Sequence, residues 1–126
     1  MNIEKNHTEN APEAIGPYSQ AVTVGDFVFT SGQIALVPAT GTVEAEDIVG
    51  QTEQVMKNLC AVLTAAGSSM DKAIKTTCFL ADMNDFAAFN EVYGKYFTSK
   101  PARSCVAAKQ LPKNVLVEVE VVAVKG

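Results

Sequence analysis

Val115-Leu116-Val117-Glu118-Val119-Glu120-Val121-Val122-Ala123-Val124 is the stretch on which the fold turns. Side chains alternate along a strand, so Val117, Val119 and Val121 share one side, while Leu116, Val122 and Val124 share the other with Glu118 and Glu120. A strand apolar on both sides needs cover on both sheet faces. Immediately upstream, residues 103–109 read as another strand, and Gln110-Leu111-Pro112-Lys113-Asn114 reads as the loop of a closing hairpin.

Further upstream, an Asn84 cap opens a helix that sets Phe86, Phe89, Asn90, Tyr93 and Phe97 on one side, an aromatic stripe suited to core packing. Residues 73–81 form a strand. From 47 to 66, Ile48, Thr52, Val55, Leu59, Val62, Leu63 and Ala66 recur at three- and four-residue steps before Gly67, which predicts an amphipathic helix. A loop carrying Pro38 and Gly41 precedes it. Strands at 19–24 and 27–35 turn around Gly25-Asp26, and residues 1–7 read as a polar arm. The order is ββαβαββ, an α+β fold with one mixed sheet. Two right-handed crossovers place both helices on one face, and the apolar residues of the other face call for self-association.

Composition narrows the function. The chain of 126 residues is one domain, 1–126, with a net charge of −4 that argues against a duplex nucleic-acid binder. Apolar runs are far short of the roughly 20 residues that span a bilayer, and the N-terminus lacks a signal core, so a cytoplasmic location is expected. Cys60, Cys78 and Cys105 have no C-x-x-C spacing, so free thiols are expected rather than disulfides or a zinc site. The single histidine, His7, lies in the arm, away from any nucleophile–histidine engine. Neither phosphate-loop pattern occurs.

Nine of the ten basic residues are lysines; Arg103 is the only arginine. It stands in Lys100-Pro101-Ala102-Arg103-Ser104-Cys105-Val106, at the head of a strand and just after a proline. A guanidinium fork grips a carboxylate at two points, which an ammonium cannot do. A structural ion pair is the alternative role.

Ala14-Ile15-Gly16-Pro17-Tyr18-Ser19-Gln20-Ala21, Phe29-Thr30-Ser31-Gly32-Gln33, Asn84-Asp85-Phe86, Pro101-Ala102-Arg103-Ser104-Cys105 and Glu118-Val119-Glu120 follow one another in an order that resembles the reactive intermediate deaminases of RidA (YjgF) type. Thr98-Ser99-Lys100 departs from the pattern, because many members carry a longer segment with an aromatic before this proline. The resemblance implies a chorismate-mutase-like fold and a homotrimer with three clefts between subunits. It also implies hydrolysis of 2-imino acids, such as 2-iminobutanoate and 2-iminopropanoate, to 2-oxo acids and ammonia without a cofactor or metal.

A protonated imine is already electrophilic, so its hydrolysis needs an anchored carboxylate and a positioned water. Arg103 is the expected anchor, and the resemblance makes Glu118 the residue that handles water, with Glu120 in support. In a hairpin register that sets Cys105 opposite Glu118, Arg103 faces Glu120, which would orient it. Tyr18 and Ser31 map onto pocket positions of the family, although Tyr18 could equally cap the first strand. Asn90 is the one polar member of the aromatic stripe. Nothing basic would activate Cys105, so its backbone rather than its sulfur is expected to meet the ligand. A non-catalytic trimer that binds small carboxylates or acts as a chaperone-like surface is the alternative, and endoribonuclease activity, ascribed to some relatives, conflicts with the acidic balance and the lack of a catalytic histidine.

Overall fold

The computed structural model describes residues 1–126 and contains one six-stranded sheet, one two-stranded sheet and two α-helices. The strands are β1 (Ile3–Asn6), β2 (Ala21–Val24), β3 (Phe27–Thr30), β4 (Leu36–Val37), β5 (Thr42–Val43), β6 (Ala73–Leu80), β7 (Ala102–Ala107) and β8 (Val117–Val124), and the helices are α1 (Ile48–Ala65) and α2 (Phe86–Tyr96). The main sheet runs β1-β2-β3-β8-β6-β7, with only β6 and β7 parallel. It is a mixed α+β architecture, as expected. No helix is long and apolar enough to cross a membrane.

Local chemistry accounts for most boundaries. Gly25 takes a left-handed φ of 57°, which lets a two-residue turn join Val24 to Phe27 across the β2–β3 pair. The Asp47 side chain accepts from the Gly50 amide at 2.8 Å and starts α1, whose buried face includes Val55, Met56, Leu59, Val62 and Leu63. On α2, Phe89 and Tyr93 stack with ring centroids 5.5 Å apart, and Tyr93 and Phe97 follow at 4.6 Å. The aromatic stripe is therefore core. Its helix starts later than expected, at Phe86; Asp82 caps a single 3₁₀ turn, Met83–Asp85, by accepting from the Asn84 amide.

Three further expectations are corrected. The arm at 1–7 is not a free tail, since Ile3–Asn6 pairs antiparallel with β2. The strand expected over 27–35 stops at Thr30, beyond which Gln33 makes an isolated bridge to Val119, and the loop after it holds the small β4–β5 ladder. Most consequentially, β7 and β8 do not form a hairpin: β6 lies between them, parallel to β7 and antiparallel to β8. The reason is the crossover helix. A strand–helix–strand unit sets its two strands parallel, so β7 takes one edge of β6 and leaves the other to β8. The connector steps across the end of β6, where Ala81 donates to Leu116 and Ala108 donates to Leu80, and Lys113 and Asn114 turn the chain with left-handed φ values of 54° and 53°.

Register then assigns faces. Thr76, Cys78 and Leu80 of β6 point toward the helices together with Val117, Val119 and Val121 of β8, and all six are buried. The opposite face carries Val22, Val24, Phe27, Phe29, Val122 and Val124, with Phe27 and Phe29 each 46% exposed.

The buried Asn58 of α1 donates to the carbonyls of Ile34 (3.1 Å) and Leu36 (2.9 Å), pinning the segment after β3. Asn58→Leu keeps the volume but removes the amide donor from both carbonyls, leaving Ile34 O with only the bond from the Leu36 amide at 2.8 Å. It should lower unfolding stability by about 2 kcal/mol, read from the midpoint of urea denaturation at unchanged m-value.

Candidate functional site

Two hollows hold four of the residues that the sequence singles out, Tyr18, Ser31 and Glu118 in one and Arg103 in the other. The larger, about 570 Å³, opens between the arm at Pro12, Ile15 and Tyr18, the Ser31–Gly32 corner, and Glu118 of β8, with Lys113 at its rim. The smaller, about 320 Å³, is lined by Tyr93, Phe97, Lys100 and Arg103.

Arg103 leaves β7 on the helix face, level with Thr76. Its Nη1 donates to Asn90 Oδ1 at 2.7 Å, and its Cζ lies 5.4 Å from the centre of the Phe86 ring and 4.9 Å from that of Tyr93. Aromatic faces attract the cation and hold it flat, while Asn90 takes one donor. No carboxylate of the chain pairs with it; the one approach of a basic side chain to a carboxylate is His7 to Glu13 at 3.4 Å, near the N-terminus. An intramolecular ion pair is thus not what Arg103 is for, and its remaining donors are open to a ligand. Asn90, singled out in the sequence as the polar member of an aromatic stripe, is its positioning partner.

Cys105 shares the face of Arg103 and sits level with Cys78. Burial raises the Cys105 thiol above its ordinary value against a smaller opposing pull from Arg103, and burial pushes Cys78 up to about 12. Both stay protonated at neutral pH, which removes the thiolate that a covalent mechanism needs.

Glu118 stands on the other sheet face, level with Phe79, and is half-buried. Burial drives its carboxyl above the usual range, and the like charge of Glu120 adds to the effect. A carboxylate whose proton affinity is raised in this way is a stronger base than an ordinary glutamate. Gly32 is what makes room for it: a Cβ at residue 32 would collide with the Glu118 carboxylate. Ser31 donates its hydroxyl to Ser19 O at 2.6 Å and its amide to Gln20 O at 2.9 Å, so the oxygen lone pairs of the side chain are what it can offer a ligand. Tyr18 is half-exposed on the same hollow. Leu116 donates its amide to Gln51 Oε1 at 2.8 Å, which ties the start of β8 to α1.

The structure therefore gathers Tyr18, Ser31 and Glu118 in one place and Arg103, Asn90 and Cys105 in another. Glu120 is exposed and does not meet Arg103, because the two strands are separated by β6 and the two side chains leave opposite faces. The register that set Arg103 against Glu120 is overturned with the hairpin. Gly32 and Lys113 were not identified from sequence. For Gly32 the signal was present, since a glycine between Ser31 and Gln33 at a strand end marks a close approach. No three His, Cys, Asp or Glu side chains converge as metal ligands would.

Residues 8–125 match the family model described as Endoribonuclease L-PSP. The chain belongs to the YjgF/RidA family. A RutC family protein of Pyrococcus horikoshii is 55% identical over 119 residues, 94% of each chain. A Salmonella typhimurium relative, 49% identical over 122 residues and again 94% of each chain, bears the name 2-iminobutanoate/2-iminopropanoate deaminase. Among solved structures, TdcF of E. coli with bound serine superposes with a TM-score of 0.92 at 45% identity, over 98% of this chain and 99% of TdcF. The names borne by relatives range from deaminase to endoribonuclease.

Because the native pKa of Glu118 is raised, its contribution to stability is present when it is protonated and is lost as pH rises through that native value. Glu118→Gln should therefore raise the thermal midpoint at neutral pH, and the gain should vanish on acidification below the ordinary glutamate range. Scanning calorimetry across that pH interval measures it.

Proposed function

We propose that this chain hydrolyses 2-imino acids to 2-oxo acids and ammonia, in clefts formed where subunits of a homotrimer meet. The observation that carries the reading is the pair of half-sites: an arginine with open donors and no carboxylate partner, and a half-buried glutamate with a raised pKa, on opposite faces of one sheet. One chain does not bring them together. A cyclic arrangement of copies, in which the helix-face hollow of one subunit meets the open-face hollow of the next, completes the site and covers Phe27, Phe29 and their valine neighbours.

The chemistry follows from the parts. Arg103 holds the substrate carboxylate through its fork, and Asn90, Phe86 and Tyr93 keep that fork in place. Glu118 accepts a proton from a water as the oxygen bonds to the iminium carbon. Protonated Glu118 returns that proton to the nitrogen of the resulting carbinolamine, and as the C–N bond breaks the hydroxyl gives up its own proton to the freed carboxylate, leaving the carbonyl and ammonia. Neither thiol chemistry nor a cofactor is needed in this sequence. The name of the Salmonella relative and the serine held by TdcF, an amino carboxylate, support the substrate class. A protein that merely bound carboxylates would gain nothing from a second, half-buried carboxylate beside the ligand, which favours catalysis over the binder reading.

Arg103→Lys keeps the charge and loses the fork. With 2-iminobutanoate generated in situ, its rate of ammonia release should fall by about tenfold or more, the effect of one charge-assisted hydrogen bond, while the thermal midpoint stays put. An unchanged rate would remove Arg103 from substrate binding.

A further inference from the structure

Residues 7–20 join β1 to β2 without regular structure and form one wall of the larger hollow, through Pro12, Ile15 and Tyr18. Connections of this length without structure of their own are uncommon and usually functional. Ala11 is buried in the core and the Ser31 hydroxyl holds Ser19 O at 2.6 Å, but the start of the connection, from Thr8 to Pro12, is tied to the sheet by one buried side chain. Gln20 is 2% exposed, and its amide is spent on the arm: Oε1 accepts from the Thr8 amide at 2.7 Å, and Nε2 donates to Thr8 O at 3.0 Å and Pro12 O at 2.8 Å. Its backbone carbonyl accepts from the Ser31 amide at 2.9 Å. One residue thus joins both walls of the hollow, the arm through its side chain and the Ser31–Gly32 corner through its main chain.

A primary amide is an expensive group to bury, and an apolar residue would fill the same space without that penalty. The arm is also anchored elsewhere, by the β1–β2 ladder and by Thr23, whose hydroxyl donates to Asn6 Oδ1 at 2.8 Å. Those contacts lie away from the hollow. The amide of Gln20 grips only the part of the arm that faces ligand.

We infer that Gln20 is a positioning residue: it latches the arm at Thr8 and Pro12 so that the wall bearing Tyr18 is preformed for the 2-imino or 2-oxo acid. This deepens the deaminase reading and rests on it for the identity of the ligand. Gln20 touches no reacting atom; it acts through the arm, so its loss weakens binding and leaves the bond-breaking step alone.

The test compares Gln20→Met, which keeps length and packing but makes none of the amide's bonds, with Thr23→Val, which loosens the same arm on its far side. The dissociation constant of 2-oxobutanoate, a non-reacting acid, is measured for both by calorimetry. Amide hydrogen exchange is followed over residues 8–18, and kcat and KM are measured with 2-iminobutanoate. Gln20→Met should speed exchange at Thr8 and raise both the dissociation constant and KM about tenfold, the loss of one to two net hydrogen bonds, with kcat little changed. Thr23→Val should leave the dissociation constant unchanged. In the wild type, 2-oxobutanoate should slow exchange at Thr8, a measurement that stands even if Gln20→Met does not fold. Equal weakening in both variants, unchanged affinity in Gln20→Met, or a Thr8 amide indifferent to ligand would each overturn the latch. Binding of 2-oxobutanoate without turnover of the imino acid would overturn the deaminase reading alone.

Discussion

The placement of β6 between β7 and β8 is the constraint on which the rest of the molecule depends. With an even alternation of side chains and a parallel β6–β7 pair, Arg103 must rise on the helix face, and Glu118 must rise on the other. No rotamer brings these two groups together through a packed sheet. The chain is thus built with a cation site and an anion site that face away from each other, next to an apolar surface that has no cover of its own. The proposed resolution is that copies of the chain close each other's sites.

The two half-sites solve opposite electrostatic problems. In the proposed reaction Arg103 must stay available to a carboxylate, and aromatic faces with one amide oxygen hold it without supplying a counter-charge. Glu118, the base of the proposed reaction, has its proton affinity raised by burial and by the like charge of Glu120, at the expense of stability. Gly32 and the Gln20 amide belong to this second problem, the first by giving the carboxylate room, the second by fixing the wall opposite. Stability lost at such a site is a common accompaniment of function.

Much of this could be read from the chain itself. The helix from Asp47 to Ala66 was legible because its apolar period and the Gly67 stop agree, and the structure adds the Asp47 cap. The aromatic stripe of α2 and the even face of β8 were legible for the same reason. The closing hairpin was misread because a five-residue connector with proline serves equally to reverse a chain beside itself and to step over one strand. The strand–helix–strand order upstream held the information that decides between them. Ile3 and Lys5 alternate over too few residues to mark β1 as a strand. Gln20 stands in one of the quoted motifs, but its role lies in bonds to residues 8–12 that no local pattern encodes.

The central claim is that one site takes Arg103 from one subunit and Glu118 from another. Its most direct test mixes two inactive chains. Arg103→Ala and Glu118→Gln are each refolded alone and then refolded together from urea at equal amounts, and ammonia release from 2-iminobutanoate is measured alongside the mass by light scattering. Random assortment into three-membered rings leaves about a quarter of the sites with both residues intact, so the mixture should recover close to that share of wild-type activity at a trimer's mass. A mixture as inactive as its components, or a monomeric mass for the wild type, would contradict the account.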